Sequence, residues 1–265
     1  MTDFKPNART FIIDLLLASG GQSISIKQMV KAATIFKISE NSIRVAVTRL
    51  SNEKNIEAIS RGIYQLTEAS HEWASIILDR SHGIKNTKLW NQQYLAVFTN
   101  TLGRVDRTAL SKRERALKRF GFQELEVGIF IRPDNLTLTM AEIFNQLISL
   151  GLESEAKICL ISTFDEQTTA LIPQLWDFKK LNQNYQKYSS QLESWLSNVS
   201  SMTLEQAARE SFLLGRETIA LLMKDPLLPE PFVDTQLREN FAQKVMQLDQ
   251  IGLKIWNQLN ENAND

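Results

Sequence analysis

The chain has 265 residues, 43% of them hydrophobic and 23% charged, with 30 Lys/Arg balanced by 30 Asp/Glu. Such a length exceeds one typical domain of about 100–200 residues, the composition is that of a globular chain and excludes a disordered one, and no apolar run approaches the roughly 20 residues of a membrane span. One cysteine and two histidines, His71 and His82, exclude an intrachain disulfide, a thiolate zinc cluster and a His-rich metal site.

The opening MTDFKPNARTF lacks the basic, then apolar, then small-residue order of a secretory signal, so a cytoplasmic location is expected. Thr10 to Ala18 is a short apolar helix stopped at Ser19-Gly20-Gly21. Ser25 can cap a second helix, on which Met29, Val30, Ala33 and Phe36 recur at near-helical spacing. The third helix begins at Ser39, a good N-cap, and places Ile43, Val47 and Leu50 on one stripe suited to packing. Its opposite face shows Asn41, Ser42, Arg44, Thr48 and Arg49, with little acid after Glu40. Asn and Arg make bidentate contacts to base edges and Ser or Thr reach phosphates, so this face suits the major groove. Ile56 to Thr67 then gives two short alternating runs parted by Arg61-Gly62, a hairpin in which Gly62 supplies the positive φ and Arg61 sits at the tip. Three helices and a basic-tipped hairpin are the order of a winged helix-turn-helix. The alternatives are a small structural domain used for protein contacts and solvated roles for Arg44 and Arg49.

Charge follows the same division. Residues 1–67 carry nine Lys/Arg against five Asp/Glu, residues 68–149 eleven against nine, and residues 150–265 ten against sixteen. A basic front and an acidic back fit a DNA-binding head on a body that does not bind DNA.

After a polar connector, Gln93 to Phe98 reads as a buried strand, followed by a helix with Ser111 and Glu114 as a capping pair and Gly121 as its stop. Strands near 122–125 and 127–132, a helix near 140–150 and a strand over 157–164 complete a β-α-β-β-α-β order, that of a ferredoxin-like fold. Cys159, inside the apolar run KICLIS, is expected to be a buried, inert thiol. Lys112, Arg113, Arg115, Lys118 and Arg119 crowd one helix, with Arg104 and Arg107 just before it. They suit the phosphates of a bulky anionic ligand or of DNA, or a solvated basic face, the reading favoured for most of them. From Pro173 onward the pattern is helical: one helix over 173–197 with an aromatic stripe, a second opened by a Thr203/Gln206 capping pair, a break at DPLLP, and a last helix over 234–259. No Ser/His/Asp arrangement, HExxH, Walker loop or GxGxxG is present.

Four pieces in order, SENSIRVAVTRLSNEKNIEAISRGIYQLT, RERALKRFGFQELEVGIFIRPDNL, LWDFKKLNQNYQKY and LLMKDPLLPEPFV, make the chain resemble the PaaX family of bacterial transcriptional repressors of phenylacetate catabolism. The resemblance implies an α+β multidomain protein: a winged helix-turn-helix over residues 1–68, a connector over 69–89, a ferredoxin-like, Cas2-like domain over 90–170, and a helical C-terminal domain over 171–265 for effector binding and dimerisation. It implies a homodimer that binds double-stranded promoter DNA and releases it when phenylacetyl-CoA or a related aryl-acyl-CoA binds, with no cofactor, catalysis or membrane partner. Ser39, Asn41, Ser42, Arg44, Thr48, Arg49 and Arg61 are then the DNA-binding candidates, and Arg104, Arg107, Arg113, Arg132 and Trp176 the effector-binding ones. Many relatives end the first central strand with Phe-Asp, whereas Phe98-Thr99-Asn100 stands here. That departure counts against the principal alternative, a metal-dependent nuclease. A non-catalytic interaction scaffold is the other.

Overall fold

A computed structural model describes residues 6–19, 22–67 and 87–261 of the chain. These form an N-terminal α+β region, a central sheet with helices and an all-helical C-terminal region, and they fall into two compact units. The first draws on residues 1–83, 189–223 and 242–265, the second on 84–188 and 224–241. The connector expected over 69–89 lies, up to residue 86, outside the described residues, as do His71 and His82.

In the first unit, α1 (Ala8–Ala18) starts earlier than its apolar run because the Asn7 side chain accepts the Thr10 amide at 2.9 Å. A reciprocal Ser25/Gln28 capping box opens α2 (Ile26–Thr34). This helix ends before Phe36, since Lys37 takes φ 54° and turns the chain. Phe36 stays buried nonetheless, its ring 5.3 Å from that of Phe11. Next comes α3 (Glu40–Asn52), N-capped by Ser39. Phe11, Ile12, Leu15 and Leu16 of α1 meet Met29 and Ala33 of α2 and Ile43, Val47 and Leu50 of α3 in one core. Each fully buried Leu, Ile or Phe contributes about 1.5–3 kcal/mol. The hairpin of β2 (Ile56–Ser60) and β3 (Ile63–Leu66) turns at Arg61-Gly62 with Gly62 at φ 77°. A two-residue strand that the sequence reading did not anticipate, β1 (Ile24–Ser25), pairs antiparallel with β3, giving the order β1-β3-β2.

The second unit contains β4 (Tyr94–Phe98), α4 (Arg107–Arg119), β5 (Gln123–Glu126), β6 (Ile129–Pro133), α5 (Met140–Ser149) and β7 (Lys157–Ile161). The element order is the expected β-α-β-β-α-β, and the sheet is antiparallel in the order β5-β6-β4-β7. Leu95 and Val97 of β4 pack with Ala116 and Leu117 of α4 and with Ile143 and Leu147 of α5. The proposed Ser111/Glu114 cap is incorrect. Asp106 begins the helix a full turn earlier, accepting the Thr108 and Ala109 amides at 2.8 and 3.1 Å, and a carboxylate is a stronger acceptor for those donors than a hydroxyl. Gly121 ends α4 at φ 76°, as expected. Cys159 lies on the sheet-edge strand β7 and is part-exposed rather than buried.

The C-terminal region comprises α6 (Glu166–Leu171), a 3-10 turn over Ile172–Leu175, α7 (Phe178–Asn198), α8 (Leu204–Met223) and α9 (Thr235–Glu261). The single helix expected over 173–197 is interrupted at Trp176, whose indole N–H donates to the Gly121 carbonyl at 3.0 Å. Asp177 then recaps the chain, accepting the Lys180 amide at 3.0 Å. Thr203 caps α8 as the spacing indicated, through the Gln206 amide at 3.2 Å. No helix among the described residues is long and apolar enough to cross a membrane.

Candidate nucleic-acid interface

The core stripe of α3 fixes which way its polar face points. With Ile43, Ala46, Val47 and Leu50 buried, Asn41, Ser42, Arg44, Thr48 and Arg49 are all exposed, and Ser39 is exposed at the start of the same helix. Ser39 Oγ lies 2.8 Å from Ser42 Oγ and accepts the Ser42 amide at 3.2 Å, so the two hydroxyls form one small polar group. Thr48 Oγ1 donates to the Arg44 carbonyl at 3.1 Å. Arg44 folds back onto Glu40, with Nη2 and Nε at 2.6 and 2.8 Å from one carboxylate oxygen. An exposed pair of that kind is worth only about 0.3–0.5 kcal/mol, so it leaves Arg44 easily recruited. Arg49 makes no ion pair with a described residue, and neither does Arg61.

Arg61 is exposed at the hairpin tip, and β1 ties that hairpin to the start of α2 through the Ile26 amide, which donates to the Gly62 carbonyl at 2.8 Å. Two apolar residues that sequence reading passed over also stand exposed: Val45 at 42%, beside Arg44, and Ile59 at 51%, next to the hairpin turn. Val45 falls off the Ile43/Val47/Leu50 stripe, and that was the signal available. An apolar side chain among arginines and short polar groups can contact a thymine methyl. The surface therefore offers bidentate, hydroxyl and apolar groups together.

The five effector candidates differ in exposure and in partners. Arg104 and Arg107 are exposed. Arg113 is buried and grips both oxygens of Glu153 at 2.9 and 2.5 Å, holding that carboxyl below its usual range, and also donates to the Gly103 carbonyl at 3.1 Å. Trp176 is buried against Gly121, as described. Arg132, 1% exposed, donates to the Phe120 carbonyl, to Pro133 O at 3.0 Å and to Asn135 Oδ1 at 2.9 Å. Arg113, Arg132 and Trp176 thus each donate hydrogen bonds inside the fold.

Around Arg132 runs a buried polar network within the second unit. Asn135 donates to the Leu227 carbonyl at 2.7 Å; Asp225 accepts the Leu227 amide at 2.7 Å and the Tyr185 hydroxyl at 2.6 Å; Arg238 donates to the Leu228 carbonyl at 2.5 Å. Burial first, and the Asp225 charge second, push the Tyr185 hydroxyl far above its ordinary pKa. Thr99 is buried too, and both its amide and its hydroxyl point to Gly128 O, at 2.7 and 3.3 Å. Among the described residues no group of three or more His, Cys, Asp or Glu is placed to hold a metal ion.

Residues 176–258 match the family model described as the PaaX-like protein C-terminal domain. No curated protein matches the chain. Among solved structures, the uncharacterized protein Rv0674 from Mycobacterium tuberculosis is similar, with a TM-score of 0.66 at 16% identity over 98% of this chain and 99% of that one. Identity that low speaks for the fold alone.

Proposed function

We propose, from the match of residues 176–258 to the PaaX-like C-terminal domain together with the exposed polar face of α3, that this chain is a DNA-binding transcriptional repressor of an aromatic-acid catabolic operon, released from its promoter by an aryl-acyl-CoA such as phenylacetyl-CoA. In this reading residues 1–68 are a winged helix-turn-helix, 90–170 a ferredoxin-like domain of the Cas2 type, and 171–265 the helical part that serves effector binding and dimerisation. Ser39, Asn41, Ser42, Arg44, Thr48, Arg49 and Arg61 contact DNA, with α3 in the major groove and the hairpin tip reaching the adjoining backbone or minor groove. The observation that carries the reading is the exposed face of α3. Asn41, Ser42, Arg44, Thr48 and Arg49 on it are residue types that read bases or phosphates, and the core stripe beneath fixes their outward aspect.

A homodimer follows from the same reading, because two-fold symmetric proteins match palindromic half-sites. Release requires that the ligand bind the DNA-incompetent arrangement more tightly, with a coupling of about 1–3 kcal/mol, or roughly 5–150-fold in affinity. Fluorescence anisotropy of the full chain on duplex DNA from upstream of its own gene, with and without phenylacetyl-CoA, tests the proposal. Tight, salt-sensitive binding that the thioester relieves is expected. Failure to bind any upstream duplex at low salt rejects it.

A further inference from the structure

A cavity of about 210 Å³ opens inside the first unit, walled by one face of α1, the middle of α8 and the C-terminal half of α9. Its walls are apolar, with Leu17, Phe212, Ile219, Met223, Leu248 and Trp256 the larger groups, while Gly215 and Ala220 keep the space open. A cavity of about 150 Å³ lined by Leu, Ile and Phe takes up benzene and stays dry without it. The present one therefore suits a substituted ring.

Three charged groups also line it: Asp14, Arg216 and Asp249. Arg216 Nε lies 2.8 Å from Asp14 Oδ2, but the approach is misaligned, and Oδ2 is buried without a well-directed hydrogen bond. A buried carboxylate oxygen left in that state is costly, and a donor brought by a ligand offsets the cost. A carboxylate already buried at the wall and apolar surroundings that cannot solvate a second negative charge disfavour an anionic ligand. We propose that this cavity binds a small neutral aromatic molecule carrying one hydrogen-bond donor, its ring among Phe212 and Trp256 and its donor on the Asp14 carboxylate. Such a ligand is distinct from a CoA thioester, whose phosphates an apolar lining cannot solvate.

The site is placed to act on α3. Phe212 lines the cavity and belongs to the core that seats α3, its ring 5.4 Å from Phe11 and 5.0 Å from Phe36. On its other side, α1 packs against α3 through Phe11, Ile12 and Leu15. Occupancy is therefore felt in the packing that orients Arg44 and Arg49, a consequence that rests on the DNA-binding reading above.

Ligand-observed NMR titration of the full chain with phenol, toluene and benzoate tests the site without DNA. Phenol should bind saturably at one site, about tenfold more tightly than toluene, the ratio given by one hydrogen bond to a charged acceptor; benzoate should bind least. Ala220→Phe, which fills the cavity from a half-buried position, should lower phenol affinity at least tenfold while leaving the thermal midpoint near that of the wild type. Asp14→Asn should bring phenol and toluene together. Binding of benzoate in preference to phenol, phenol binding indifferent to Ala220→Phe, or no saturable binding to the wild type would overturn the proposal. None of these readouts involves DNA, so their failure is separable from failure of the repressor reading.

Discussion

Arg44 lies on the exposed face of α3, yet it is held by Glu40 one turn away at 2.6 Å, both side chains more than half exposed. For Arg44 to reach DNA it must leave that carboxylate or carry a negative charge toward the phosphates. Glu40→Gln removes both obstacles. Releasing an exposed i,i+4 pair returns about 0.3–0.5 kcal/mol, and deleting an acid within a Debye length of the duplex adds roughly 0.5 kcal/mol in water. The expected gain in DNA affinity is thus about 1 kcal/mol at most, roughly two- to fivefold. Stability should move the other way, because Glu40 in the first turn favours the helix dipole by about 0.3–1 kcal/mol. Anisotropy on a mixed-sequence duplex at fixed low salt, for wild type, Glu40→Gln, Arg44→Ala and the double variant, reads both the gain and its source. The gain should shrink in the Arg44→Ala background. If Glu40→Gln weakens binding, the carboxylate holds Arg44 in its DNA-bound pose, and the argument for release is wrong.

Arg49 and Arg61 lack ion-pair partners among the described residues, so Arg49→Ala and Arg61→Ala should each lower the slope of log affinity against log salt by about 0.9 if the lost contact is to phosphate, with an unchanged thermal midpoint; an unaltered slope and affinity remove the residue from the interface. Gly121 holds φ 76°, and a Cβ there would lie 2.7 Å from the Pro226 carbonyl oxygen, so Gly121→Ala combines a left-handed penalty of about 1–2 kcal/mol with a forced shift of about 1–3 kcal/mol; loss of under 1 kcal/mol in urea unfolding contradicts the packing described. Asp14 is desolvated strongly enough to raise its carboxyl from 3.8 to about 6 despite Arg216. Its folded pKa exceeds its unfolded one, so the group costs nothing below about 4, and stability falls as pH rises through 4 to 6. Relative to wild type, Asp14→Asn should gain up to about 3 kcal/mol between pH 4 and pH 7 in denaturant titrations; a difference that does not change with pH refutes that ionisation.

What was legible in the sequence was whatever depends on near neighbours. The stripe of Ile43, Val47 and Leu50 needs only the helical period, so the buried and exposed faces of α3 followed directly. Gly62 and Gly121 announced left-handed turns where no other residue is comfortable. Competition between alternatives was harder to read. Ser111 with Glu114 fits a capping pattern, but Asp106 lies upstream and takes the amides first. The 173–197 helix has an unbroken apolar period, yet Trp176 gains a buried hydrogen bond to Gly121, 55 residues away, by leaving the helix. That Arg113, Arg132 and Trp176 are buried could not be read in one dimension, because charge and aromaticity carry no sign of burial. Their partners Glu153, Phe120 O and Gly121 O are fixed only by the tertiary fold. The cavity around Asp14 was invisible for the same reason, since its walls come from three helices far apart in the chain.

The pieces that carried the family resemblance turn out to be mechanically related. RPDNL supplies Arg132 and Asn135, the GF of the preceding segment supplies the Gly121 carbonyl, LWDFKKLNQNYQKY supplies Trp176, Asn182 and Tyr185, and DPLLP supplies Asp225 and the backbone of Leu227 and Leu228. Each satisfies a buried polar group of another, with Asn182 Oδ1 accepting the Asp234 amide at 3.1 Å. A buried charge costs several kcal/mol unless all its hydrogen bonds are met. Losing Asn135, for instance, strips one acceptor from Arg132 and one donor from the Leu227 carbonyl together. Residues bound in this way depend on one another for their buried hydrogen bonds. The Asp14 cavity stands apart from that network, in the unit that also carries α3.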